Sequence, residues 1–185
     1  LARKIAKLHI IFEESGLEKG DKVAICSRNQ ANWAVSFLAT MTYGAVPVPL
    51  LHEFKSSNIH HLVNHSEAKI LFVDDVIWEG LTETEMPALQ AIIQVNTFKL
   101  LYAADPKIEY ARANLNVLFG QKYPTEFNRN CINYYEDKPD ELAIINYTSG
   151  TSGFSKGVMI PYRAVFSNLE FGRQVLPGLD STKSV

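Results

Sequence analysis

Eleven consecutive residues, Tyr147-Thr148-Ser149-Gly150-Thr151-Ser152-Gly153-Phe154-Ser155-Lys156-Gly157, gather three glycines, five Ser or Thr hydroxyls and one lysine. A polyphosphate is the ligand this composition suits. Glycine lets backbone N–H groups approach phosphate oxygens closely, small hydroxyls add donors without bulk, and lysine brings positive charge. The candidate phosphate-binding residues are therefore Thr148, Ser149, Gly150, Thr151, Ser152, Gly153, Lys156 and Gly157. A flexible Gly/Ser linker is the bland alternative. Against it stand the apolar runs on either side, Leu142-Ala143-Ile144-Ile145 and Val158-Met159-Ile160, which read as two buried strands bracketing the loop.

The P-loop of nucleotide hydrolases, G-x-x-x-x-G-K-[ST], is the obvious comparison, and it fails at two positions. Counting from Gly150, Ser155 stands where the second glycine belongs, and Gly157 follows Lys156 where a magnesium-binding hydroxyl is required. A P-loop also runs straight into a helix, whereas here a short apolar run ends at Pro161. The spacing predicts a loop between two strands, gripping phosphates by another geometry.

The block resembles the signature of the AMP-forming adenylating enzymes: acyl-CoA synthetases, luciferases and peptide-synthetase adenylation domains. That signature is a Thr/Ser-Ser-Gly-Thr-Thr/Ser-Gly core, a variable stretch where proline is usual, then Lys-Gly-Val. Thr148 to Val158 match it, with Ser155 in proline's place. The family often continues with Ser/Thr-His-Arg, where this chain has Pro161-Tyr162-Arg163. Three earlier blocks look like those of long-chain acyl-CoA synthetases in particular: Gly20-Asp21-Lys22-Val23-Ala24-Ile25, Gly44-Ala45-Val46-Pro47-Val48-Pro49-Leu50 and Asn64-His65-Ser66-Glu67-Ala68-Lys69. They are less specific than the loop.

The resemblance implies a two-step reaction. A carboxylate attacks the α-phosphorus of ATP, giving acyl-AMP and pyrophosphate, and coenzyme A then takes the acyl group as a thioester. It places Thr148, Ser149, Thr151 and Ser152 on the departing diphosphate, with Gly150 and Gly153 allowing close backbone approach. Lys156 adds charge or holds the loop's shape. Magnesium is implied as a bridge between phosphates, and no residue is named as its ligand. The family's Tyr-Gly-x-Thr-Glu block, ribose-binding aspartate block, hinge and C-terminal domain with its adenylation lysine have no counterpart here, so no catalytic residue is assigned. The expectation is the N-terminal portion of an acid–thiol ligase, most like a long-chain fatty acid–CoA ligase, inactive by itself. An enzyme for an amino or aryl acid, or a stand-alone nucleotide-binding module without catalysis, are the alternatives.

Composition sets the outer limits. With 185 residues and 46% hydrophobic content, one α/β domain over 1–185, itself part of a larger N-terminal domain, is expected. A net charge of −2 suggests no nucleic-acid partner. Cys26 and Cys131 are far apart and read as free thiols of a reducing, cytoplasmic compartment. No apolar run reaches the ~20 residues of a membrane span, leaving peripheral contact through the acyl substrate as the only membrane association envisaged.

The elements that must position the loop alternate. Leu1, Ile5, Leu8 and Phe12 mark an amphipathic helix ended by Gly16, and Lys22 to Cys26 a buried strand. Asn29 is expected to cap a helix through Trp33, Phe37 and Met41 to Gly44, followed by a strand over 45–50 whose Pro47 and Pro49 place it at a sheet margin. A helix from Ser56 or Ser57 to about His65, a strand over 68–73, a helix over 76–86 and a strand over 91–95 follow. Such alternation means a mainly parallel sheet flanked by helices. Residues 97–139 read as a less regular excursion with a helix from Glu109 to Phe119. Pro161 then opens a last helix that stops at Pro177-Gly178.

Other constellations favour structural readings. His60, His61 and His65 share a helix at metal-pair spacing but lack the H-E-x-x-H pattern, so solvated histidines are expected. Asp74-Asp75 ends a strand with no G-x-G-x-x-G turn before it and reads as a polar turn. Trp33 and Phe37 read as core, and Arg28-Asn29 lie where α/β sheets place ligands.

Overall fold

A computed structural model describes residues 1–148 and 156–175. Helix α1 (Ala2–Glu14) buries Ile5, Leu8, Ile11 and Phe12, ends at Ser15, and turns through Gly16 at φ +65°. Strand β1 (Lys22–Cys26), helix α2 (Ala31–Tyr43), strand β2 (Val46–Leu50), helix α3 (Ser56–His65), strand β3 (Ala68–Val73) and strand β4 (Ala91–Gln94) follow. With β5 (Leu100–Ala103) they build one sheet in the order β2-β1-β3-β4-β5, parallel except for β4–β5. Alternate strand residues face opposite sides. Val23, Ile25, Ile70, Phe72 and Ile93 meet α1 and α2 on one face, while Ala24, Cys26, Leu71, Val73 and Ile92 share a second core with Ile59, Leu62 and Val63 of α3. The mainly parallel sheet covered on both faces is the expected one.

The prolines of β2 do more than mark an edge. Val46 donates its N–H to Asp21 of the β1 side, so the alternate positions 47 and 49 have their backbone nitrogens facing outward. Being prolines, they offer no donor there. Strand β6 (Leu142–Thr148) packs alongside β2, yet it is hydrogen-bonded only to β7 (Lys156–Pro161), forming a separate two-stranded antiparallel sheet. The loop's hairpin is thus seated on the main sheet without being laddered into it.

Several expectations are corrected. Asn29 does not cap α2: Gln30 is the N-cap, without a side-chain cap bond. The helix expected over 76–86 is only one turn, α4 (Asp75–Trp78), then a 3-10 turn at Glu83–Glu85. Gly80 weakens a helix there, and the Thr82 N–H donates to His60 Nε2 (3.1 Å) rather than to a helical carbonyl. The helix expected from Glu109 to Phe119 is two, α5 (Pro106–Ala113) and α6 (Leu115–Lys122). Asp105 caps the first, and Asn114 breaks the run by donating its side-chain amide to the Tyr110 carbonyl (2.9 Å). Pro161 closes β7 instead of opening α7 (Tyr162–Val175), whose expected stop at Pro177-Gly178 lies outside the described residues.

Candidate functional site

Strand β6 alternates cleanly. Ala143, Ile145 and Tyr147 are buried, whereas Asn146 and Thr148 face out. In the hairpin, Tyr147 pairs with Gly157 and Thr148 with Lys156, so the two ends of the Gly/Ser/Thr loop stand directly opposite each other. Thr148 and Lys156 are both exposed, placing a hydroxyl and an ammonium side by side at the mouth of the hairpin. Gly157 lies against the Tyr147 ring: a Cβ there would sit 3.2 Å from Tyr147 Cε1 and 3.3 Å from Ile145 Cγ2. Of the expected phosphate-binding residues the structure thus brings together Thr148, Lys156 and Gly157. Ser149, Gly150, Thr151, Ser152 and Gly153 lie outside the described residues.

Two anchors under this hairpin were invisible in the sequence. The first is Glu141, just before β6. Its carboxylate accepts from Lys19 Nζ (2.8 Å), from the Tyr135 hydroxyl (2.6 Å) and from the Lys138 N–H (3.3 Å). The Tyr135 N–H donates to the Thr42 carbonyl (2.9 Å), and the Lys19 ammonium lies 4.6 Å from the Tyr135 ring centre, so three segments converge there. The Lys19 hydrogen bond, with Tyr135 behind it, pulls the Glu141 carboxyl from its ordinary 4.5 down to about 2. A carboxyl held low when folded contributes stability above its ordinary pKa and loses it as pH falls through the folded value. Glu141→Gln is therefore expected to lower the denaturant midpoint at pH 7. The gap to wild type should narrow between about pH 4.5 and pH 2, read from urea melts across that window. A gap constant with pH would contradict the assignment.

The second anchor is His65, the last residue of α3. Its Nδ1 lies 2.7 Å from the Tyr147 hydroxyl, with the two rings edge-on at 5.7 Å. Burial holds the Tyr147 phenol above its ordinary value, so it stays protonated near neutrality. The remaining candidates take structural places. His60 accepts from Thr82, and among the described residues no three His, Cys, Asp or Glu side chains gather as metal ligands. Asp74 accepts from the Arg28 N–H (2.8 Å) and Gln30 Nε2 (3.0 Å), tying the ends of β1 and β3 together beside a cleft of about 310 Å³. Trp33 and Phe37 stack at 5.2 Å against the first core. Cys26 is buried, which pushes its thiol up to about 12, and Cys131 is likewise free.

The helix-flanked, mainly parallel sheet recurs in solved ligases. A solved long-chain-fatty-acid-CoA ligase from Archaeoglobus fulgidus shares this fold with a TM-score of 0.67 at 22% identity, over 92% of this chain and 31% of that one. The chain belongs to the AMP-binding enzyme family, whose model matches residues 1–182. Among curated relatives, fatty acyl-CoA synthetase A of Dictyostelium discoideum is 28% identical over 160 residues, covering 83% of this chain and 23% of the relative. Human long-chain-fatty-acid–CoA ligase 1 is 25% identical over 177 residues, covering 90% and 25%. The chain spans about a quarter of the length of these curated relatives. No helix among the described residues is long and apolar enough to cross a membrane.

Proposed function

We propose that this chain is the N-terminal portion of an AMP-forming acid–thiol ligase and holds the phosphate-gripping part of its active site. The observation that carries the reading is the pairing of Thr148 with Lys156 at the two ends of a family-matching Gly/Ser/Thr loop. A carboxylate attacks the α-phosphorus of ATP, and charge builds on the departing β,γ-diphosphate. Hydroxyl and ammonium groups already aimed at those oxygens stabilise that charge without reorganising. The loop residues Thr148, Ser149, Gly150, Thr151, Ser152, Gly153, Lys156 and Gly157 are assigned to that diphosphate. Magnesium bound with the nucleotide would supply further charge neutralisation on those phosphates, and no residue of this chain is assigned to hold it. Coenzyme A takes the acyl group in the second step, in a cytoplasmic setting.

The names of the relatives support a long-chain fatty acid as the substrate. The exposed apolar side chains of the hairpin and last helix, Val158, Met159, Phe166, Leu169 and Phe171, suit burial against further protein that would complete the acid pocket. Thioester formation by the protein from its complete reading frame, measured over long-chain, medium-chain, aryl and amino acids, tests the substrate. Preference for long chains supports the reading, and preference for an aryl or amino acid overturns it. The 185-residue chain alone is expected to give only background ATP–pyrophosphate exchange. Exchange above background would contradict the assignment of the remaining site to further protein.

A further inference from the structure

The His65–Tyr147 contact joins elements 82 residues apart and meets the loop's hairpin one residue before each strand reaches the loop. A buried phenol needs a hydrogen-bond partner, since leaving its hydroxyl dry and unpaired is unfavourable. Tyr147 is 8% exposed and finds that partner in His65 Nδ1 at 2.7 Å. A protonated phenol donates to Nδ1 when the imidazole carries its proton on Nε2. The His61 ring, one turn earlier on α3, stands 5.8 Å from His65. On its other side the Tyr147 ring lies against Gly157 of β7, where an added Cβ would come 3.2 Å from Tyr147 Cε1 and the ring would have to give by a few tenths of an ångström. A line of contact therefore runs from α3 through the Tyr147 hydroxyl and ring to Gly157, whose neighbour Lys156 stands opposite Thr148.

We infer that His65 is a positioning residue for the phosphate loop, acting through the Tyr147 hydroxyl to fix Lys156 and Thr148 relative to the main sheet. This rests on the reading of Thr148 and Lys156 as phosphate-binding. The prolines of β2 make the need for such a tie plain, because β6 gains no ladder hydrogen bonds from the sheet it lies against. His65 is itself exposed, so the bond is removable without opening the core.

The test uses the protein from its complete reading frame with Tyr147→Phe, His65→Ala and His65→Asn, the last keeping a polar atom near the position of Nδ1. Two readouts are taken: amide hydrogen exchange of β6 and β7, and kcat with the separate KM values for ATP and for the acid. Tyr147→Phe and His65→Ala are expected to speed exchange in the hairpin and lower kcat/KM for ATP roughly fivefold. The KM for the acid should not move, and His65→Asn should recover most of the loss. Unchanged hairpin exchange overturns the inference. Faster exchange with an unchanged kcat/KM for ATP also overturns it, leaving His65 as a purely structural contact. A wild-type protein without acid-dependent activity overturns the ligase reading instead, and the exchange rates alone then decide whether His65 holds the hairpin.

Discussion

Lys156→Ala, in the complete enzyme, is expected to slow formation of acyl-AMP by about a hundred- to a thousandfold, the usual loss when one aimed donor to developing charge is removed. Transfer of the acyl group from preformed acyl-AMP to coenzyme A should slow far less. The asymmetry follows from where the lysine stands. It is the exposed end of β7, opposite Thr148, at the mouth through which the diphosphate would be held. That diphosphate has left before the second step begins. Single-turnover measurements of the two half-reactions separate the outcomes, and equal losses in both would make Lys156 a structural residue. Lys156→Arg keeps charge but presents a planar fork where a compact ammonium fits, so partial recovery is expected.

The second large effect lies away from the loop. Gly44→Ala is expected to destabilise the fold by about 2–5 kcal/mol, from left-handed strain together with overpacking. Gly44 ends α2 at φ +91°, and an added Cβ would sit 2.8 Å from Tyr135 Cγ. That atom moves aside only if the Tyr135 side chain turns about its Cα–Cβ bond, which would break the hydroxyl bond to Glu141. The ring is held at both ends, by the N–H bond to Thr42 and the hydroxyl bond to Glu141. Gly16→Ala is the matched control: Gly16 also has positive φ (+65°), but nothing lies within 4 Å of its Cβ position. It should lose only the left-handed strain, about 1–2 kcal/mol. Urea melts of both variants isolate the Tyr135 contact as the difference, and equal losses would contradict it.

What the sequence made legible follows the periodicities. Strands β1, β3 and β4 are continuous apolar runs because both their faces are covered, α3 carries a single apolar stripe, and α1 is buried around most of its second half. The positions of Pro47 and Pro49 foretold the sheet margin correctly. The failures are places where one local side chain decided the backbone. Asn114 split the stretch from Glu109 to Phe119 that read as one helix, and the Thr82 N–H found His60 instead of a helical carbonyl. Strand β5 stayed hidden because all four of its residues are half-buried, giving no alternation to detect. At the site, Thr148 and Lys156 pair as a strand–loop–strand reading requires, but the second strand, expected to be buried, is exposed from Lys156 to Met159. The anchors of the hairpin left no mark in the sequence. The Lys19–Glu141 and His65–Tyr147 contacts join residues 122 and 82 positions apart, and no local pattern in a chain records such a meeting.

Isotope exchange between pyrophosphate and ATP, in the protein from its complete reading frame, tests the central claim most directly. Label should pass from pyrophosphate into ATP only when a carboxylic acid is present, and the nucleotide product should be AMP. Release of ADP and phosphate without any acid would contradict the account, as would the absence of exchange with every acid tried.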